Sequence, residues 1–155
     1  MPQISLEEFA DKMHEVMPTI MRQFAKRQQN ELYTGKITLP QFLILEYLGS
    51  QGESRMTDLA HFMEVTTAAM TGIVGRLVKS GYVTRLFDSS DRRIIKIKLT
   101  AKGEALTKKI NQQRRRMIMK AFGKISGEER QDYLRMFSRL RDILMQEKER
   151  SIHEE

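Results

Sequence analysis

The 155-residue chain contains no cysteine. Disulfides, thiolate metal sites, cysteine nucleophiles and cysteine redox sensing are therefore excluded. No apolar run approaches the ~20 residues that a membrane-spanning helix needs. The N-terminal MPQISLEEF has no basic stretch followed by an apolar one, so no signal peptide is expected and the predicted location is cytoplasmic. Histidine is scarce. His14, His61 and His153 stand apart, none with a partner at a convincing metal-ligand spacing, so neither a metal nor a cofactor is expected. No Ser-His-Asp arrangement, phosphate loop or dinucleotide fingerprint occurs, and Gly72-Ile73-Val74-Gly75 falls inside a helical pattern rather than in a phosphate-binding loop. An enzyme is not expected.

What is present is a globular balance of 40% hydrophobic and 30% charged residues, with a formal net charge of +7. Such a chain can build a core and suits an anionic partner. The positive charge is uneven. Residues 1–53 hold 5 Lys/Arg against 7 Asp/Glu, residues 54–99 hold 8 against 4, and residues 100–155 hold 14 against 9. Charge alone does not separate the middle of the chain from its C-terminal third.

Periodicity and capping residues predict six helices and one hairpin. Ser5 and Glu8 form a capping-box pair ahead of a helix from Ser5 to about Leu32, with Phe9, Met13, Met17, Ile20 and Phe24 as its apolar stripe. Pro18 predicts a kink. After a turn at Tyr33-Thr34-Gly35-Lys36, Thr38 and Gln41 cap a second helix that buries Phe42, Leu45 and Leu48 and ends across Gly49 to Gly52. Thr57 caps a short helix to Met63. Thr66 caps another to Ser80, which Gly81 stops. The period then changes to two. Tyr82 to Phe87 and Ile94 to Leu99 read as strands joined by Asp88-Ser89-Ser90-Asp91-Arg92-Arg93. A long helix follows from Thr100 to about Lys124, and Ser126 with Glu129 caps a last one to about Arg150. The last helix has a packing seam of Tyr133, Phe137, Leu140 and Leu144.

Leu59, Met63, Val65, Met70, Ile73, Val74 and Leu77 are spaced as the shared core of two crossed helices, with Ala60 small at their approach. A helix, tight turn and helix followed by a hairpin with a charged tip is the order of a winged helix-turn-helix. At about 100° per residue, the second helix turns Ala68, Thr71, Gly72, Gly75 and Lys79 away from that core, with Thr67 and Arg76 at the margins. Short side chains permit close approach to a major groove, and Thr can donate to a base or phosphate or touch a thymine methyl. A merely solvated helix has no use for two glycines, each costing roughly 1 kcal/mol. At the hairpin tip, Arg92 and Arg93 suit a narrow minor groove, and Asp91 is placed to hold a guanidinium through a bidentate pair.

Residues 58–81, DLAHFMEVTTAAMTGIVGRLVKSG, followed by YVTRLFDSSDRRIIKIKLTAKG, resemble the core of the MarR (multiple antibiotic resistance regulator) family, and flanking helices extend the resemblance over nearly the whole chain. The resemblance implies a mainly α, winged helix-turn-helix fold of six helices plus a small antiparallel β-hairpin wing, dimeric through its N- and C-terminal helices. In domain terms, 33–100 would be the DNA-binding lobe, and 1–32 with 101–155 the dimerisation lobe. It also implies a sequence-specific regulator, a repressor that binds an inverted-repeat operator in double-stranded DNA and is released by a small aromatic or anionic effector lodged between the first, second and fifth helices. A constitutive winged-helix module that binds DNA or protein without an effector is the alternative. The implied DNA-binding residues are Thr66, Thr67, Ala68, Thr71, Gly72, Arg76 and Lys79 on the recognition helix, and Asp91, Arg92 and Arg93 on the wing. Arg93 matches the position that probes the minor groove, and Arg76 one that contacts phosphate. Gly72 departs from the longer polar or basic residue common there, and the missing cysteine separates the chain from peroxide-sensing members.

Overall fold

The computed structural model describes residues 4–27, 32, 34–91 and 93–153, with 27 and 147–153 as backbone only. Among these, the element order is α1 (Leu6–Arg27), α2 (Leu39–Gln51), β1 (Glu53–Arg55), α3 (Met56–Met63), α4 (Thr67–Lys79), β2 (Val83–Phe87), β3 (Ile95–Leu99), α5 (Ala101–Phe122) and α6 (Gly127–His153). The chain divides into two compact units, Met1–Arg115 and Arg116–Glu155, so the division falls within α5.

The first unit contains the core. Phe42, Ile44, Leu45 and Leu48 of α2 pack with Leu59 of α3 and with Met70, Val74 and Leu77 of α4. Val83, Ile97 and Leu99 close the cluster from the strands, and Leu106 and Ile110 from α5. The sheet is antiparallel in the order β1-β3-β2. Val83 pairs with Leu99 and Phe87 with Ile95, while Ser54 of β1 pairs with Ile97. Ile97 and Leu99 face inward and are buried, whereas Lys98, one residue removed, is exposed, as the twofold period of a strand requires.

Helix starts follow short-range chemistry. Thr38 Oγ1 accepts from the Gln41 N–H, and Gln41 Oε1 accepts from the Thr38 N–H at 2.9 Å, a complete capping box. The Ser5 hydroxyl accepts from the Glu8 N–H. Ser126 and Glu129 form the same reciprocal pair in the second unit, and those hydrogen bonds hold the Glu129 carboxyl below its ordinary pKa. In that unit Arg130 also donates to the carbonyls of Phe122 and Ile125, occupying acceptors at the end of α5.

Several expectations change. The wing is a three-stranded sheet: β1, three residues long and polar at both ends, adds a strand to the hairpin. Thr57 does not cap α3. The helix begins two residues earlier, at Met56, and Asp58 Oδ2 accepts from the Arg55 N–H, so the cap belongs to the Arg55 position. Gly49 lies within α2, whose end is Gly52 at φ 85. α1 is assigned as one helix through Pro18. Val65 is 36% exposed rather than core, because the turn that joins α3 to α4 lifts it outward. The expected end of the first helix beyond Arg27, and Tyr33 in the following turn, lie outside the described residues.

Candidate nucleic-acid interface

Two matching helix ends fix α4 in place. At the end of α3, Glu64 adopts the left-handed conformation (φ 55), and the N–H groups of Glu64 and Val65 donate to the carbonyls of His61 and Ala60. This 5→2, 6→1 pattern is a Schellman motif. It reverses the chain within two residues, so α4 can start at once with Thr66 as its cap, the Thr66 hydroxyl accepting from the Ala69 N–H at 3.2 Å. The same motif ends α4. Gly81 (φ 74) donates to Val78 O and Tyr82 to Leu77 O. Glycine accepts that backbone without a Cβ penalty, whereas Glu64 adopts it with one.

With both ends fixed, the face of α4 follows from the core. Met70, Val74 and Leu77 are buried and Ile73 is half-buried. Thr66, Thr67, Ala68, Thr71, Gly72, Arg76 and Lys79 are all exposed, while Gly75 is half-buried. Ala68, Gly72, Gly75 and Lys79 lie in line opposite the buried side. A Cβ on Gly75 would meet nothing within 4 Å, and one on Gly72 would meet only Arg76 Nη1 at 3.9 Å. The Arg76 guanidinium lies back along the helix surface toward Gly72, at a distance that a methyl group would not disturb. Thr71 donates its hydroxyl proton to Thr67 O at 2.8 Å. In this rotamer it has lone pairs and a methyl to offer a ligand rather than the donor expected from the residue type.

The wing loop is built around Asp88. Its Oδ1 accepts from the N–H groups of Ser90 (2.9 Å) and Asp91 (3.2 Å) and from the Ser90 hydroxyl, and its Oδ2 pairs with Lys96 Nζ at 2.9 Å. These partners, the Ser90 hydroxyl first and Lys96 second, hold the Asp88 carboxyl far below the ordinary carboxylate range. Lys96 also reaches Glu53 Oε1 at 2.7 Å, and the two carboxylates raise its pKa, Glu53 contributing most. Asp91 Oδ1 accepts from the backbone N–H of Arg93 at 2.9 Å. Asp91 thus orders the main chain of the tip, in place of the bidentate guanidinium pair expected for Arg93. Arg93 and Asp91 are exposed, and Arg92 lies outside the described residues.

Sequence reasoning missed Asp88, Lys96 and Glu53. Asp88 had a local signal: an Asp whose side chain accepts from N–H groups two and three residues on is an Asx turn. The Lys96–Glu53 pair had none, since 43 residues separate its members. Also missed was a clamp between the end of α4 and the start of α5. Thr100 Oγ1 donates to Gly81 O at 2.6 Å, Lys102 Nζ to Ser80 O at 2.8 Å, and the Thr100 N–H to Tyr82 O. The Lys102 ammonium lies 4.8 Å from the Tyr82 ring centroid. Gly103 is the close-approach point, because a Cβ there would fall 2.1 Å from Tyr82 O.

The arrangement presents a small-residue helix face, cations beside it, and a wing whose tip is ordered from within. Among the described residues no group of His, Asp and Glu is disposed to hold a metal, and no helix is long and apolar enough to cross a membrane.

Comparison with known proteins is consistent with this geometry. The MarR family model matches residues 37–95. The chain is 29% identical to the HTH-type transcriptional regulator YpoP of Bacillus subtilis over 127 residues, covering 80% of this chain and 90% of that one. It is 36% identical to the HTH-type transcriptional repressor YetL of the same organism over 104 residues, covering 66% and 56%. Among solved structures, a MepR-like protein complexed with pseudoligands is 34% identical, covers 86% of this chain and 94% of its own, and superposes with a TM-score of 0.55. A MarR family protein from Bacillus stearothermophilus, 23% identical, shares the fold over 92% and 99% with a TM-score of 0.74. The chain belongs to the MarR family of winged helix-turn-helix, DNA-binding transcriptional regulators.

Proposed function

We propose that this regulator is a repressor that binds an inverted repeat in double-stranded DNA as a homodimer, with α4 in the major groove and the wing tip in the adjacent minor groove. The observation that carries the reading is the outer face of α4. Ala68, Gly72 and Gly75 leave the backbone open to close approach, with Arg76 and Lys79 alongside to meet phosphate. Thr66 caps the helix, Thr67 and Thr71 flank the open strip, and Arg93 is the minor-groove probe on a tip ordered by Asp91. The expected DNA role of Arg92 rests on the sequence alone.

Uncovered apolar stripes support the dimer. Phe9 and Ile20 of α1 are each 42% exposed, and Tyr133, Phe137, Leu140 and Leu144 of α6 are exposed along one seam. Stripes of that length are normally covered. Twofold symmetry would set the half-sites ~10 bp apart. Relatives named repressors, YetL among them, favour repression over activation. The domain reading follows: 33–100 engage DNA, while 1–32 and 101–155 join the protomers.

An effector reading is supported by one cavity of about 420 Å³, lined from α2, the end of β3 and α5 by Glu46, Gly49, Ser50, Leu99, Lys108 and neighbours. Its lining carries two carboxylates, Glu46 and Glu104, and one ammonium, Lys108, and Glu46 also pairs with Arg114 at 3.5 Å. With Arg114 offsetting Glu46, that lining suits a neutral ligand better than the anion implied by resemblance.

The test is selection of bound duplexes from a random pool, followed by mobility shifts across a salt series and sedimentation of the free protein. Enrichment of an inverted repeat, affinity falling linearly in log salt, and a dimer at micromolar concentration are expected. A pool that yields no enriched motif, or a stable monomer, refutes the reading.

A further inference from the structure

Lys96 stands on the wing of a DNA-binding protein and is basic, so it would ordinarily be counted among the phosphate contacts. Its surroundings point elsewhere. Its Nζ lies 2.7 Å from Glu53 Oε1 and 2.9 Å from Asp88 Oδ2, and its side chain is only 27% exposed. One ammonium held between two carboxylates has no net positive charge to offer a phosphate. The two carboxylates differ in what they hold. Glu53 belongs to β1, directly after the Gly52 turn that ends α2. Asp88 is the first residue of the wing loop and accepts from the N–H groups of Ser90 and Asp91. Asp91 in turn accepts from the Arg93 N–H and, through its carbonyl, from the Ile94 N–H. The Asp88 N–H closes the loop on Ile94 O.

The contacts form an unbroken series from β1 to the tip: Glu53, Lys96, Asp88, Asp91, Arg93. We propose that Lys96 is a positioning residue, an internal strut that ties the wing loop to β1 and thereby fixes where Arg93 points, and that it makes no phosphate contact of its own. The register permits this arrangement. Lys96 pairs across β3 with Arg55 on one side and Leu86 on the other, so its side chain leaves the sheet at the middle strand, where both Glu53 and Asp88 are within reach. A basic residue on an edge strand could not bridge the two. The inference rests on the DNA-binding reading for its consequence, but the strut itself can be tested without DNA.

The experiment compares wild type, K96M, K96R and E53Q by amide exchange and by DNA affinity across a salt series. In K96M, exchange at Ser90, Asp91 and Arg93 should rise about tenfold or more while core amides such as Val74 stay unchanged. DNA affinity should fall severalfold with the salt slope unaltered, since no phosphate contact is lost. K96R, which can also bridge two carboxylates, should restore both. E53Q removes the charge of one leg by a change in β1, outside the wing loop, and should speed the same amides if K96M does not fold. Unchanged loop exchange in both K96M and E53Q, or a slope reduced by about 0.9 in K96M, would overturn the strut. If the wild type binds no DNA, the functional reading fails and the exchange data alone decide the strut.

Discussion

Replacing Gly72 and Gly75 with alanine should make the free protein more stable and a worse DNA binder. Both residues lie within α4, between Thr67 and Lys79. Glycine inside a helix is less favourable than alanine by about 0.8–1 kcal/mol per site. That cost is recoverable only if the added methyl fits. At Gly75 it would meet nothing within 4 Å, and at Gly72 only the mobile end of Arg76 at 3.9 Å. The double variant should therefore gain about 2 kcal/mol, which for a chain of this size raises Tm by roughly 4–8 °C. On DNA the two methyls stand on the outer strip with Ala68 and Lys79. Forcing methyl groups into a close-packed surface costs about 1–3 kcal/mol, a loss of roughly 5- to 150-fold in affinity. Thermal unfolding and a mobility shift on the selected operator measure the two effects separately. A higher Tm with undiminished affinity would show that the strip does not meet DNA. A lower Tm would show that the space around these glycines is not open.

Gly103→Ala should have the opposite stability sign, because its Cβ would lie 2.1 Å from Tyr82 O and 3.2 Å from Leu99 Cδ2. A loss of about 1–3 kcal/mol or more is expected in denaturant titration, and an unchanged midpoint would refute the close contact. Arg76→Ala should weaken binding to all duplexes alike and lower the salt slope by about 0.9, whereas Arg93→Ala should weaken the selected operator; an intact operator affinity in Arg93→Ala would remove the wing from the interface. Thr66→Ala should lower stability by about 1 kcal/mol through loss of the α4 cap, read by urea unfolding. For pH, the Asp88 carboxyl is held below its ordinary value by Ser90 and Lys96. Its stabilisation is complete above the unfolded carboxylate value, about 4, and is lost as pH falls from there toward the native one. Asp88→Asn should remove that part of the acid limb, and an acid transition identical to wild type would contradict the loop geometry.

The amino-acid sequence by itself determined the features whose partners lie within a turn of one another. Thr38 with Gln41, Ser126 with Glu129, and Thr66 ahead of Ala69 are each three residues apart. A helix start needs nothing further to be recognised. The buried side of α4 was equally legible, since Met70, Val74 and Leu77 repeat at the helical period. Tertiary structure decided what depends on distant partners or on the exit angle of a turn. The strand β1 exists because Glu53, Ser54 and Arg55 find the free edge of β3, not because their residue types favour a strand. Val65 has a core side chain in an outward position because the Schellman turn at Glu64 sets its direction. Lys96 carries no signal of its own in the sequence and becomes a strut only when the sheet brings Glu53, 43 residues away, to its ammonium. Gly103 reads as a poor helix residue until the Tyr82 carbonyl is placed against it. Local hydrogen bonding is encoded in a few consecutive residues. Which cation stays free for DNA, and which glycine is indispensable, depends on register and packing that bring together residues far apart in the chain.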